Sequence, residues 1–166
     1  MNNLPITSIL SAFHLPQRYA SETYEDTDLP RTAISGLQQK IYKAPTSGTL
    51  LVSGTAGPIV NQLREMGRKT HGIPFTEYYT DQFKDEKVSL PSNKVEVVVV
   101  YGIGNEQAKN SEFSSRLLIS MLDFYKSRQV LVIMETSLTI TDFQTRYQID
   151  TPTSIRMRLK KEQSWL

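Results

Sequence analysis

Apolar residues recur at helical and strand spacings in alternation along this chain. Within residues 4–14, Ile6, Ile9, Leu10 and Phe13 fall at i, i+3, i+4 and i+7, the pattern of one apolar helix face. Pro5 is tolerated in the first turn of such a helix. Leu15 precedes Pro16, and a residue before proline avoids the helical region, so the segment ends there. Residues 16–30 are polar, with Tyr19 and Tyr24 interspersed and Pro30 as punctuation. Ile34, Leu37 and Ile41, spaced at three and four, predict a helix over 31–43.

Buried strands follow. Thr49 to Ser53 is a short apolar strand that runs into a glycine-containing turn, Gly54 to Gly57. A helix is expected from Pro58, with Ile59, Leu63 and Met66 on one side, Arg64, Arg68 and Lys69 on the other, and His71 and Gly72 at its close. Ile73 to Tyr79 has the aromatic content of a strand. Val95 to Tyr101 is nearly continuous in apolar residues, as in a parallel strand covered on both faces, and Gly102 and Gly104 end it. Residues 111–128 read as a helix with Phe113, Leu117, Met121 and Phe124 on one face, and Val130 to Met134 as another buried strand.

Thr139 and Asp142 resemble a capping box, with Asp in place of Glu, opening a short helix to Tyr147. Thr151 and Pro152 suit the N-cap and first position of a last helix running to about 162. That helix would be basic, with Arg156, Arg158, Lys160 and Lys161. Strand, turn and helix thus repeat, which predicts an α/β chain folded as a three-layer α/β/α sandwich around a mainly parallel sheet.

Composition narrows the chemistry. The 166 residues suit one domain. The absence of cysteine excludes a disulfide framework, a cysteine zinc site and a thiol nucleophile. His14 and His71 are the only histidines, too few for a histidine-rich metal site. The net charge of +2 makes any nucleic-acid contact local. The start of the chain lacks the basic and apolar regions of a secretory signal, so a cytoplasmic protein with no membrane partner is expected.

In a parallel sheet the binding crevice lies beyond the carboxyl ends of the strands. The turn after the first strand looks at a glance like a phosphate loop. A working loop needs a lysine for the β and γ phosphates and a hydroxyl for magnesium. Here Gly54 and Gly57 are followed by Pro58, Ile59, Val60 and Asn61, which favours a plain strand-to-helix turn. Tyr101 and Gly102 stand where a magnesium-holding carboxylate would end the central strand. Glu106 is the nearest carboxylate, and it reads as solvated or near a helix start. Glu135, Thr136 and Ser137 read as turn formers. Ser53, Ser137 and His71 do not make a hydrolase triad, for there is no nucleophile elbow, and His71 reads as a satisfied surface histidine. His14 reads as a helix cap. The 156–161 cluster suits a solvated helix end and an anionic partner equally well.

A family resemblance covers residues 15–160. Leu15 to Tyr19 and Thr23 to Thr27 resemble a proline, basic, aromatic and acidic opening segment. Gly48 to Gly54 is similar to the family's glycine, strand and phosphate loop, and Val98 to Glu106 to its Walker B strand. Val132 to Phe143 resembles its sensor strand, and Ser154 to Leu159 its arginine-bearing segment. The family is the AAA+ ATPase domain of bacterial replicative helicase loaders and related transposition ATPases. The resemblance implies a P-loop NTPase-like core over 15–162 without a separate lid domain, preceded by the amphipathic helix of 1–14. It also implies that the loaders' own helicase-binding domain is absent.

Set against that family, the lysine and hydroxyl positions fall on Val60 and Asn61, the acidic pair on Tyr101 and Gly102, and the sensor asparagine on Ser137. Only Arg156 or Arg158 keeps its residue type. Losing these groups together leaves a triphosphate nothing to offset its desolvation. The resemblance therefore implies a non-catalytic protein in DNA replication initiation, with no cofactor, metal or catalytic residue. It would dock to an AAA+ loader or initiator, to a replicative helicase or to itself, through Arg156 and Arg158 or through Ile6, Leu10 and Phe13. Two alternatives stand. One is a single-stranded DNA-binding factor, with Arg64, Arg68, Lys69, Lys160 and Lys161 lining one groove and Tyr78 or Tyr79 for stacking. The other is an atypical NTPase that uses Glu106.

Overall fold

The computed structural model describes residues 15–43, 47–83, 90–106, 111–150 and 153–160. The expected N-terminal helix, with Ile6, Leu10 and Phe13, lies outside them, as do His14 and Lys161. Two 3-10 helices, Gln17–Ser21 and Tyr24–Asp26, open the described chain. Then come α1 (Arg31–Tyr42), β1 (Gly48–Gly54), α2 (Gly57–Glu65), β2 (Thr70–Pro74) and α3 (Phe75–Phe83). They are followed by β3 (Val97–Ile103), α4 (Ser111–Lys126), β4 (Leu131–Thr136), α5 (Ile140–Tyr147) and β5 (Ser154–Met157).

The five strands form one sheet in the order β2-β3-β4-β1-β5, and every pairing in it is parallel. Successive side chains on a strand point to opposite faces, so a strand covered on both sides needs apolar residues throughout. The valine run shows this directly. Val97 and Val99 join Leu50, Val52, Leu131 and Ile133 in a core under α1 and α2. Val98 and Val100 join Leu51, Val132 and Met134 in a second core with Leu118, Met121, Phe143 and Tyr147 from α4 and α5. The expected three-layer sandwich is the observed architecture.

Three local expectations fail, each because tertiary packing selects a different period. His71 and Gly72 do not close α2; they lie in β2, paired with Val98 and Val99. Ile73 to Tyr79 is not a strand, because the strand stops at Pro74 and a helix begins at Phe75. Phe75 and Tyr79, one turn apart, are both buried, and that helical face outweighs the β propensity of the aromatics. The basic C-terminal helix is instead β5. Ile155 and Met157 pack on the first core while Arg156 faces solvent, a two-residue alternation that only a strand produces.

The helix over 111–128 exists, but its buried face is Ser114, Leu118, Met121 and Tyr125. Phe113, Leu117 and Phe124 flank that face half-buried. The Tyr125 hydroxyl fixes the rotation by donating to the Pro91 carbonyl at 2.9 Å. Leu118→Ala should therefore cost about 2–5 kcal/mol, the usual range for emptying a core site. Ile119→Ala, at a position 40 % exposed, should change stability by less than about 0.5 kcal/mol. Denaturant midpoints of the two variants check the assignment.

Candidate functional site

The chain leaves β1 for the far edge at β2, returns through β3 and β4 to lie beside β1, and then places β5 on the other side. The crevice of such a sheet opens beyond the carboxyl ends of β1 and β4, where the connection direction reverses. Gly54, Thr55, Ala56 and Gly57 form the turn from β1 into α2 there. Gly54 has φ 126°, and a Cβ on it would run into the Met157 carbonyl. That carbonyl accepts the Thr55 amide at 2.8 Å.

Two carboxylates close on this turn. Glu135, in register with Val52, is buried. It accepts the Ala56 amide at 2.7 Å and the Tyr19 hydroxyl at 2.5 Å, and it pairs with the Arg18 guanidinium. Glu22, also buried, accepts the Thr55 hydroxyl and pairs with Arg18 at 3.2 Å. Its side chain lies so close to Gly57 that a Cβ at that position would collide with it. Asn61 secures the segment that carries Glu22, its side-chain amide donating to the carbonyls of Tyr19 at 2.6 Å and Glu22 at 3.1 Å.

The electrostatics follow from burial around one cation. Burial pushes the Glu135 carboxyl above its ordinary value, opposed by the Arg18 charge, the Tyr19 hydroxyl and the Ala56 amide. Burial works against the Arg18 charge too, but Glu135 and then Tyr19 and Glu22 outweigh it, and its pKa is raised. Burial and the Glu135 charge hold the Tyr19 hydroxyl firmly protonated. The Tyr101 hydroxyl is pushed up to about 12, by burial first and then by Glu77.

The positions read from sequence are distributed as follows. Gly54 and Gly57 shape the turn. Val60 is fully buried in the core below it, so no side chain from the lysine position reaches the crevice. Tyr101 and Gly102 lie at a bulge, where the β3–β4 register shifts between Val100 and Ile103. Ser137 sits at the rim, its hydroxyl 3.4 Å from the Asn105 side-chain oxygen. The Arg158 amide donates to the Asp28 side chain at 3.0 Å, and its Cγ lies near the space above Gly54. Arg158 therefore lines this chain's own turn, and Arg156 is the exposed arginine of β5.

Several expectations need correcting. Arg68 and Lys69 lead into β2 at one sheet edge, and Arg156 is on β5 at the other. With strands about 4.8 Å apart, four spacings separate these edges by about 19 Å, so Arg68 and Lys69 do not share a groove with Arg156. Tyr79 is buried and packs its ring on Phe113 at 5.5 Å; Tyr78 is half-buried. Glu106 is not solvated. It is buried and accepts Ser114 and the Gly104 amide, each at 2.8 Å, along with Tyr147 and Arg146. His71 is no satisfied surface histidine: its Nδ1 is buried with no hydrogen-bond partner among the described residues, and burial lowers its pKa.

The sequence reading missed Arg18, Tyr19, Glu22 and Glu135 as a unit. One signal was present. Glu135 follows four apolar residues in a strand that is buried throughout, and a buried carboxylate requires a cation or several donors. Among the described residues there is no group of three or more His, Asp or Glu placed to hold a metal ion. No described helix is long and apolar enough to cross a membrane.

Glu135→Ala should cost about 3 kcal/mol, at the low end for breaking a buried ion pair, because half of the Arg18 side chain stays in water. Arg18→Ala should cost at least as much, since it strands both carboxylates. Urea unfolding of the two single variants and the double variant would reveal the coupling; strict additivity of the losses would contradict the network.

No protein-family model matches the chain, and no curated protein matches it in sequence. Solved structures do match. The crystal structure of DnaI is similar at 13 % identity and a TM-score of 0.52, over 86 % of this chain and 90 % of that one. A DNA replication initiation factor is similar at 9 % identity and a TM-score of 0.53, over 88 % of this chain and 52 % of that one. At such identities the likeness concerns the fold alone: this chain shares its parallel α/β sheet architecture with these proteins.

Proposed function

We infer that this chain is a nucleotide-independent, non-catalytic protein of DNA replication initiation that works by docking to an AAA+ loader or initiator, or to a replicative helicase. The observation that carries the reading is the state of the turn after β1. Its Ala56 amide is bound by Glu135 and its Thr55 amide by the Met157 carbonyl. The lysine position is core at Val60. A triphosphate brought here would meet the buried carboxylates of Glu22 and Glu135 on the amide and hydroxyl donors of the turn, in a low-dielectric setting where like charges repel strongly. The replication setting comes from the fold shared with DnaI and a DNA replication initiation factor.

Docking is assigned to the β5 edge. Arg156 is exposed there, and an AAA+ neighbour offers an anionic nucleotide site for it to meet. A head-to-tail contact made by one end only cannot propagate, so a chain without a working site of its own would terminate an assembly. The NTPase alternative is weakened by the four donors already on Glu106, and the single-stranded DNA alternative by the separation of its cations across the sheet.

Titration calorimetry with ATP and magnesium should give no saturable heat; micromolar binding would overturn the reading. Arg156→Glu should weaken capture of purified AAA+ loader, initiator or replicative helicase by about tenfold, roughly 1.4 kcal/mol, with the fold intact by circular dichroism. Steeply salt-dependent binding to single-stranded DNA, unaffected by Arg156→Glu, would transfer the assignment to the DNA-binding alternative.

A further inference from the structure

We propose that Glu22 and Glu135 serve as an internal anion, two carboxylates of the chain itself that occupy the turn after β1 where phosphate would sit and close it to anions from solution. This rests on the nucleotide-independent reading above. The N-terminal amides of a helix lack intrahelical acceptors and favour negative charge. At α2 the N-cap is Ala56, which has no side-chain cap. Its amide is satisfied by Glu135 at 2.7 Å, and the Gly57 amide by the Thr55 hydroxyl at 3.2 Å. That same hydroxyl donates to Glu22.

Two further features match the requirements of a bound anion. Glycines in phosphate loops let the anion approach the backbone, and Gly57 gives the Glu22 side chain that same approach. An anion in such a site also needs a cation, and Arg18 supplies it to both carboxylates at once. The carboxylates come from distant parts of the chain, one on β4 and one just after the first 3-10 helix. Their capture draws residues 17–22 down onto the sheet, so the chain closes its own crevice without a ligand.

Charge makes the idea testable. With both carboxylates in place the Ala56 amide, the Thr55 hydroxyl and the Arg18 guanidinium are already engaged, which makes the turn unattractive to a free anion. Removal of both charges leaves the Arg18 guanidinium and the Ala56 amide without an anionic partner in the turn. Melting temperatures would be measured for the full chain and two variants, Glu135→Ala and Glu22→Gln/Glu135→Gln. Inorganic phosphate or acetate would be added in tens of millimolar, with ionic strength held constant by sodium chloride. The double glutamine variant keeps the side-chain volumes and so covers a failure of Glu135→Ala to fold.

The expected result is a saturable rise of about 3–6 °C for the variants, through preferential binding to the folded state, and none for the unaltered chain. Failure of both anions to raise either variant would overturn the proposal. So would an equal rise in the unaltered chain. Nucleotide binding by the unaltered chain is read separately by calorimetry, so failure of the nucleotide-independent reading is not mistaken for failure of this one.

Discussion

A carboxylate taken out of water must be met by donors, and most of what is distinctive about this molecule follows from how Glu135 is met. Its partners are a guanidinium and a phenol from the first 3-10 helix and a backbone amide at the start of α2. None of these alone would hold a charged group at a buried strand end. Together they tie the opening segment, the β1–α2 turn and β4 into one unit, and Glu22 repeats the arrangement on the other side of Arg18. Loss of one member removes a donor or acceptor from the rest, which couples the cluster energetically.

The same physics governs the glycine turn after β1. A phosphate loop is a set of amides and a helix end aimed at an anion. The anion need not be a phosphate, and a well-placed side-chain carboxylate satisfies the same donors. Val60 then has no charge to serve and is free to join the core. Asn61 fixes the backbone that carries Glu22.

A second polar node supports the other end of the crevice. Glu106 gathers Ser114 of α4, Tyr147 and Arg146 of α5 and the Gly104 amide after β3. Arg146 also donates to the Gly104 and Glu106 carbonyls at 3.2 and 3.1 Å. Gly104 and Glu106, just after β3, are thereby tied to two helices.

Which parts were legible depended on the range of the interaction. The valine run, the apolar stripe of Ile34, Leu37 and Ile41, and the Thr139 cap, whose hydroxyl accepts the Asp142 amide at 3.1 Å, are local patterns, and they determined the layers and most elements. Short segments with mixed signals were decided by packing. Phe75 to Tyr79 became helical because one turn brings Phe75 and Tyr79 to the same core, and Ser154 to Met157 became a strand because β1 offered it an edge. The cluster lay beyond sequence reading for a plainer reason. Arg18 and Glu135 are 117 positions apart, and only the parallel sheet, by ordering β4 next to β1, brings a carboxylate at one strand end against the turn at the other.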